Sequence, residues 1–296
     1  MINVPHPERL LRDESLAKYT AARLGGAADY VYVAHESTRE LCDVVSAAWE
    51  ADMPLRILGG GANVLVSDYG FRGLVVINKV AEAAFKETEV VVTSGYKLTI
   101  LARRCASRGF AGFEWAASVP GTIGGAVVNN AGAHGGDMAA CVYSATLFEP
   151  GGVRVLTNVD LDYGYRSSAL KERADRRFLV LMATLRLSRG EPAQSSAKID
   201  EFVTYRKRTQ PPGASLGSIF KNPPGDYAGR LIESAGLKGY RIGGTQVSPV
   251  HANFFINTGS ASASDYYALI RHVQATVERQ TGVLLETEIE MVGERF

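Results

Sequence analysis

Residues able to do chemistry gather in five short stretches of this chain. Gly59-Gly60-Gly61-Ala62-Asn63, with Val64 beyond it, lies between two apolar runs. Glycines there permit positive φ and let main-chain N–H groups converge on an anion with no Cβ in the way. Taken alone, the stretch reads better as a tight bend that merely needs glycine. It is not G-x-G-x-x-G, no helical pattern follows it, and it lacks the Lys-Ser/Thr of a P-loop, which disfavours a nicotinamide-type Rossmann fold. The second stretch, Ser118-Val119-Pro120-Gly121-Thr122-Ile123-Gly124-Gly125-Ala126, is followed at once by Asn129-Asn130-Ala131-Gly132-Ala133-His134-Gly135-Gly136. Two glycine loops with neutral hydrogen-bonding groups and few cations suit a pyrophosphate held by backbone amides, hence a dinucleotide such as FAD. A closely packed buried turn is the plainer alternative.

The third stretch, Tyr163-Gly164-Tyr165-Arg166-Ser167-Ser168-Ala169-Leu170-Lys171, offers a fork for a carboxylate or phosphate, or else is an exposed basic turn. The fourth, Gly217-Ser218-Ile219-Phe220-Lys221-Asn222-Pro223, puts a hydroxyl, an ammonium and a carboxamide in a loop stiffened by Gly and Pro, a composition more typical of a site than of a linker. In the fifth, Leu285-Glu286-Thr287-Glu288-Ile289-Glu290, alternation predicts three carboxylates on one strand face, ordinarily the solvent face. His6, His35, His251 and His272 are scattered, and no H-E-x-x-H or other ligand spacing occurs, so no metal is expected.

The elements that must carry these stretches alternate along the chain. Ser37-Thr38-Arg39-Glu40 predicts a capping box ahead of a helix with Leu41, Val44, Val45 and Ala48 on one face. After Pro54, Leu55–Leu58 reads as a short buried strand, and Val64–Val66, Leu74–Ile77 and Glu89–Ser94 as further strands. Leu98, Leu101, Ala102 and Cys105 mark a helix ending at Gly109, whereas 118–138 is too rich in small residues for an ordinary helix. Strand-like runs return at Val142–Phe148, Val153–Leu156 and Phe178–Leu187, and the polar Arg189-Gly190-Glu191-Pro192 predicts a domain boundary. A helix over Ile199–Lys207 stops at Pro211-Pro212, and Asn253–Asn257 reads as a strand after loop-rich 217–244. Ser262-Ala263-Ser264-Asp265 caps a long helix whose Tyr266, Leu269, Ile270, Val273 and Val277 share a face, with Gly282 as its stop.

Length and composition bound the rest. With 296 residues the expectation is two domains or three small ones. Thirty-two Lys and Arg against 31 Asp and Glu disfavour a sequence-independent grip on nucleic acid. No run approaches the ~18 apolar residues of a spanning helix, and Met1–Leu11 has no apolar signal-peptide core. Cys42, Cys105 and Cys141 lie far apart, against a disulfide framework or zinc site. A cytoplasmic protein is the expectation.

In this order, the 59–63 loop, SVPGTIGGA, YRSSALK, GSIFKNP and LETEIEMVG resemble the UDP-N-acetylenolpyruvoylglucosamine reductases, flavoenzymes of bacterial peptidoglycan synthesis, from about Arg23-Leu24-Gly25-Gly26 to Gly293. The resemblance implies an α+β fold: an FAD-binding domain of the vanillyl-alcohol-oxidase type in two α+β subdomains, then a smaller α+β substrate domain. The implied limits are 1–80, 81–190 and 191–288, with 289–296 returning to the first. The segment after Arg177 is short, as in the second type of this enzyme. Residue by residue, the resemblance implies catalytic roles for Arg166 (Y-R-x-S), Ser218 (G-S-x-F-K-N-P) and Glu288 (L-x-x-E). It implies flavin binding by Gly59–Val64 and by Ser118–Ala126, and substrate contacts from Tyr165, Lys221, Asn222, His251 and Asn253. Two positions depart from the pattern: Glu290 stands where a basic residue is usual, and Ser167 where Asp is usual.

The implied reaction is NADPH-dependent reduction, through non-covalent FAD, of UDP-N-acetylglucosamine enolpyruvate by a monomer touching neither membrane nor nucleic acid. Reduction at C3 of the enol ether pushes charge onto C2 and the carboxylate. An arginine can stabilise that charge, a carboxyl can share a proton with it, and a serine can protonate C2 with Lys221 easing the alkoxide left behind. Two other readings remain. An oxygen-using flavin oxidase of the same fold often tethers flavin to a His in the first loop, and 59–64 has none. A non-catalytic flavin or sugar-nucleotide sensor has no need of Arg166, Ser218 and Glu288 together.

Overall fold

A computed structural model describes residues 2–296, which divide into two compact units. Unit 1 gathers the residues up to Leu11, Tyr30–Gly60 and Gly73–Tyr205; unit 2 gathers Arg12–Asp29, Gly61–Arg72 and Arg206–Phe296. Among the described residues no helix is long and apolar enough to cross a membrane.

Unit 1 has two cores. In one, helix α1 (Thr38–Glu50) lays Leu41, Val44, Val45 and Ala48 on Tyr32, Leu74 and Val76. Strand Leu55–Leu58 runs parallel to Phe71–Asn78, with Leu55 opposite Leu74 and Leu58 opposite Ile77. It is the edge strand of its sheet, so only Leu58 is buried and the expected buried strand is half-covered. Half of the predicted capping box forms. Ser37 Oγ accepts the Glu40 N–H (3.1 Å), but the Glu40 carboxylate accepts from His35 N (3.1 Å), Glu36 N (2.8 Å) and Tyr32 OH (3.0 Å) instead of returning to Ser37. With three donors and a cation in reach (Arg9 at 2.9 Å), the carboxylate takes the richer partners.

The other core lies under a five-stranded antiparallel sheet in the order Gly152–Thr157, Val142–Glu149, Leu179–Arg186, Glu89–Thr93, Ala83–Lys86. Helix α2 (Leu98–Ser107) packs Leu98, Leu101, Ala102 and Cys105 into it, and Gly109, at φ +73°, follows its end. A short helix, α3 (Ile123–Asn129), occupies part of the small-residue stretch where no ordinary helix was expected. One of its two glycines answers to packing: a Cβ at Gly124 would come within 2.9 Å of the Ser94 Cβ. Helix α4 (Pro192–Thr209) starts seven residues before the predicted helix, with Pro192 in the first position, where the missing N–H costs nothing.

Unit 2 sets a four-stranded antiparallel sheet (Ala214–Ser218, Phe254–Asn257, Thr245–Val247, Arg241–Ile242) against α5 (Ala228–Ser234) and α6 (Ala263–Thr281). The predicted face of α6, Tyr266 to Val277, is buried against Phe220, Phe255 and Leu231. Its capping box is complete, and the Asp68 carboxylate accepts from Ala263 N and Ser264 N at 2.8 Å each. Such a cap contributes about 1 kcal/mol. Strand Glu290–Val292 lies parallel to Val64–Val66.

Candidate active site

The two glycine loops touch within unit 1. A methyl at Gly59 would overlap Thr122 Oγ1, and one at Gly60 would come within 2.9 Å of Gly121 Cα. The second loop is bolted down by main chain: Leu98 N donates to Gly121 O (3.2 Å), Ile123 N to Tyr96 O (3.0 Å) and Gly124 N to Ser94 O (2.8 Å). Ser94 is fixed in turn by Asn78, whose Nδ2 donates to Ser94 Oγ at 2.8 Å. Against this rigid backing, Gly121 (φ +119°) and Gly125 have nothing within 4 Å of where a Cβ would stand. Bare backbone thus borders open space at two positions, Thr122 is buried between them and Ala126 just beyond, and neither glycine has a side chain to stand in the way of a phosphate approaching there. The residues present fit a dinucleotide's pyrophosphate.

Tyr165 and Arg166 form the tip of a tight turn in which Gly164 and Ser167 exchange both N–H···O bonds (3.1 and 3.2 Å). Arg166 has φ +54°, a left-handed conformation costly for a side chain of this size. Several bonds hold it there. Its Nη2 donates to Gly132 O (2.7 Å), Lys171 Nζ donates to its carbonyl (2.9 Å), and its guanidinium lies 5.2 Å from the exposed Tyr165 ring. The buried Ser168 hydroxyl donates to Val128 O (2.6 Å), and Asn130, the left-handed C-cap of α3, donates to Gly164 O (2.8 Å). The candidate catalytic arginine is therefore tied to the helix that the second glycine loop opens.

In unit 2, Ser218 follows a bulge. Ser215 pairs with Ile256 but Ser218 with Phe254, and Gly217 between them has φ +76°. Bulges of this kind re-aim the next side chain. The half-buried Ser218 hydroxyl has no hydrogen-bond partner among the described residues. The residues after it run beside the fifth stretch: Glu288 N donates to Ile219 O (2.8 Å), Lys221 N to Glu286 O (2.9 Å), and Phe220 bridges Thr287. Glu288 and Glu290 are partly buried while Glu286 is exposed, so the expected common solvent face does not form; only Glu290–Val292 is regular strand. Asn63 closes the other side, its Nδ2 donating to Glu288 O (3.2 Å) and its carbonyl accepting Glu290 N (2.9 Å). Gly61 (φ +58°) is needed for a different reason, since a Cβ would overlap the Tyr19 carbonyl. Ala62 and Val64 complete this half of the first loop, Val64 opposite Glu290.

The other expected substrate contacts divide by what already occupies them. Lys221 Nζ pairs with Glu286 Oε2 at 3.2 Å, and since the Glu286 side chain is 72% exposed the pair is readily exchanged. Asn222 Oδ1 accepts Ala228 N (3.1 Å) and caps α5. Asn253 is buried, and both ends of its amide hold the Phe220 main chain. His251 Nδ1 accepts Asn253 N (3.2 Å), which places the proton of the neutral ring on Nε2, and burial pushes its pKa down. Asn130, Ser168 and Lys171, which lie in the second and third stretches but had no role of their own assigned, belong to the supporting framework together with Ser94, which no stretch contained.

The family profile described as FAD binding domain matches residues 30–157, and that described as UDP-N-acetylenolpyruvoylglucosamine reductase, C-terminal domain, matches 209–292. The UDP-N-acetylenolpyruvoylglucosamine reductase of Synechococcus sp. (strain RCC307) is 41% identical over 99% of this chain and 97% of its own. That of Chloroflexus aggregans (strain MD-66 / DSM 9485) is 42% identical over 97% and 98%. The crystal structure of the UDP-N-acetylenolpyruvylglucosamine reductase of Thermus caldophilus superposes with a TM-score of 0.82 at 32% identity, covering 96% of this chain and 99% of that one. The glycine loops, the strained arginine turn and the bulged serine thus sit in a chain matched end to end by enzymes of one name, and it belongs to the UDP-N-acetylenolpyruvoylglucosamine reductase family.

Proposed function

We propose that this protein reduces UDP-N-acetylglucosamine enolpyruvate to UDP-N-acetylmuramate for peptidoglycan synthesis, with NADPH as donor and non-covalent FAD as carrier. The observation that carries the reading is the alignment of the Ser218–Lys221 segment with Glu286–Glu288, which sets an unengaged hydroxyl on the segment hydrogen-bonded to an acidic one. FAD, when bound, would supply hydride chemistry, taking a hydride from NADPH and passing a hydride to C3 of the enol ether. Gly59–Val64 and Ser118–Ala126 hold the cofactor through main chain. Arg166 offers a planar fork to the substrate carboxylate as charge develops there. Ser218 gives its proton to C2, Lys221 stabilises the alkoxide, and Glu288 holds a proton in exchange with the carboxylate. Tyr165, Asn222 and His251 take part in binding the sugar nucleotide, and Asn253 shapes the Ser218 loop through Phe220. The flavin-binding region is assigned to 1–190 in two subdomains meeting near residue 80, the substrate domain to 191–288, and 289–296 to the first subdomain. Both substrates are soluble nucleotides, in keeping with a cytoplasmic enzyme.

Stopped-flow absorbance on Ser218→Ala tests the assignment. Flavin reduction by NADPH should persist, because that step needs no proton on carbon. Reoxidation by the enolpyruvyl substrate should slow by the ~10²–10⁴ typical of losing a general acid, about 3–5 kcal/mol of barrier. Ser218→Cys should retain more activity than Ala. Equal slowing of both steps would make Ser218 a folding residue, and no slowing would move the proton donor elsewhere.

A further inference from the structure

The hairpin Gly132–Ala133 / Gly136–Asp137 follows the second glycine loop, with Ala133 opposite Gly136 and Gly132 opposite Asp137. Its two turn residues, His134 and Gly135, have φ of +52° and +80°, the type I′ geometry for which Asn-Gly is preferred. Histidine is strained there, and three contacts on one ring offset the strain. His134 Nε2 lies 3.2 Å from Ser118 Oγ, the first hydroxyl of the glycine loop. The ring stacks on Phe202 of α4 (centroids 4.2 Å, 6° between planes) and meets the edge of Tyr205 (5.7 Å, 80°). The base of the same hairpin supplies the Gly132 carbonyl that receives Arg166. All of these residues lie in unit 1.

We propose that His134 is a positioning residue for the cofactor: it fastens Ser118 to the aromatic face of α4, so that the second glycine loop is ordered before the dinucleotide arrives. Ordering a loop in advance removes part of the entropy lost on binding. The inference rests on the reading of 118–126 as a flavin loop. A residue serving only the turn is better replaced by Gly or Asn, which remove the strain at +52°. A positioning residue is not.

The test is FAD affinity, read by quenching of flavin fluorescence on the flavin-stripped full chain, beside the melting temperature of the same apoprotein. The variants are His134→Gly, His134→Asn, Ser118→Ala and the double variant His134→Gly/Ser118→Ala. Both His134 substitutions should weaken FAD binding about tenfold, equivalent to ~1.4 kcal/mol, with apoprotein melting within a few degrees of wild type. The double variant should bind no worse than Ser118→Ala, because both substitutions cut the same link. FAD affinity within twofold of wild type in a folded His134→Gly overturns the proposal, and so do fully additive effects. If His134→Gly does not fold, Phe202→Leu removes the stacked ring, and unchanged FAD affinity there overturns it equally. A wild-type apoprotein that takes up no FAD instead sinks the functional reading itself.

Discussion

Asn253→Ala should damage both the stability of this protein and its second half-reaction. The side chain is 3% exposed; its Oδ1 accepts Phe220 N at 3.0 Å and its Nδ2 donates to Phe220 O at 2.8 Å. Phe220 is 1% exposed, so truncation strands one buried donor and one buried acceptor. At ~1–3 kcal/mol for each unsatisfied group, and with a water recovering some of it, the loss should be about 2–4 kcal/mol. At roughly 2–4 °C per kcal/mol, melting should fall by about 5–15 °C. Phe220 is two residues from Ser218, so flavin reoxidation by substrate should slow at least tenfold while reduction by NADPH is spared. Asn253→Asp is the sharper variant. Its carboxylate keeps the bond from Phe220 N but points an anion at Phe220 O, which raises the folded-state pKa of the new acid above its unfolded value. Stability relative to wild type is then retained at low pH, where the acid can donate, and lost as pH rises through the folded pKa. Differential scanning at several pH values and stopped-flow absorbance read both effects. Wild-type melting and reoxidation in Asn253→Ala would refute the view that this amide shapes the Ser218 loop.

Gly59→Ala drives a methyl into Thr122 Oγ1 and should part the two glycine loops, at about 1–3 kcal/mol of overpacking; the 450-to-280 nm absorbance ratio should fall, and full flavin occupancy would contradict this. Arg166→Lys keeps the charge but loses the planar fork, so turnover should drop severely, and near-normal turnover would remove Arg166 from the mechanism. Glu40 is buried, which raises its pKa, but the Glu36 and His35 N–H groups, Tyr32 OH and Arg9 outweigh burial and hold it below the usual carboxylate range. The stabilisation from a depressed carboxyl exists above its unfolded value and vanishes as pH falls through the folded one. Glu40→Gln should therefore be less stable than wild type at pH 7, with the gap closing below about pH 4; a gap constant with pH in urea melts would refute that. Acid precipitation should leave the yellow colour in the supernatant, since main-chain amides rather than a covalent bond hold the flavin, and a yellow pellet would contradict that.

Elements with strong local signals were legible in the sequence. The α6 cap at Ser262 and Asp265, its apolar face and its stop at Gly282 needed only helical periodicity and cap chemistry. The glycine loops were visible as candidates, but the reason for each glycine was not. Gly124 packs on Ser94, Gly61 passes the Tyr19 carbonyl, and Gly121 and Gly125 face open space, distinctions set by partners far away in sequence. Glu40 shows a related limit: a local motif predicted its partner, but the adjacent His35 and Glu36 N–H groups took it instead, joined by the Tyr32 hydroxyl and by Arg9, which only the fold brings near. The partly buried setting of Glu288 was equally hidden, because alternation describes an isolated strand, and here the segment is enclosed by Ile219 on one side and Asn63 on the other. The strain at Arg166 and His134 had no sequence signal, since both depend on contacts outside their own turns.

The purified protein's flavin absorbance, followed without oxygen, tests the assigned reaction most directly. Addition of NADPH should bleach the 450 nm band, and the colour should stay lost until UDP-N-acetylglucosamine enolpyruvate is added, returning then in proportion to the substrate supplied, with UDP-N-acetylmuramate formed in equal amount. A band that NADPH does not bleach, or that recovers only when oxygen is admitted and ignores the enolpyruvyl substrate, would contradict it.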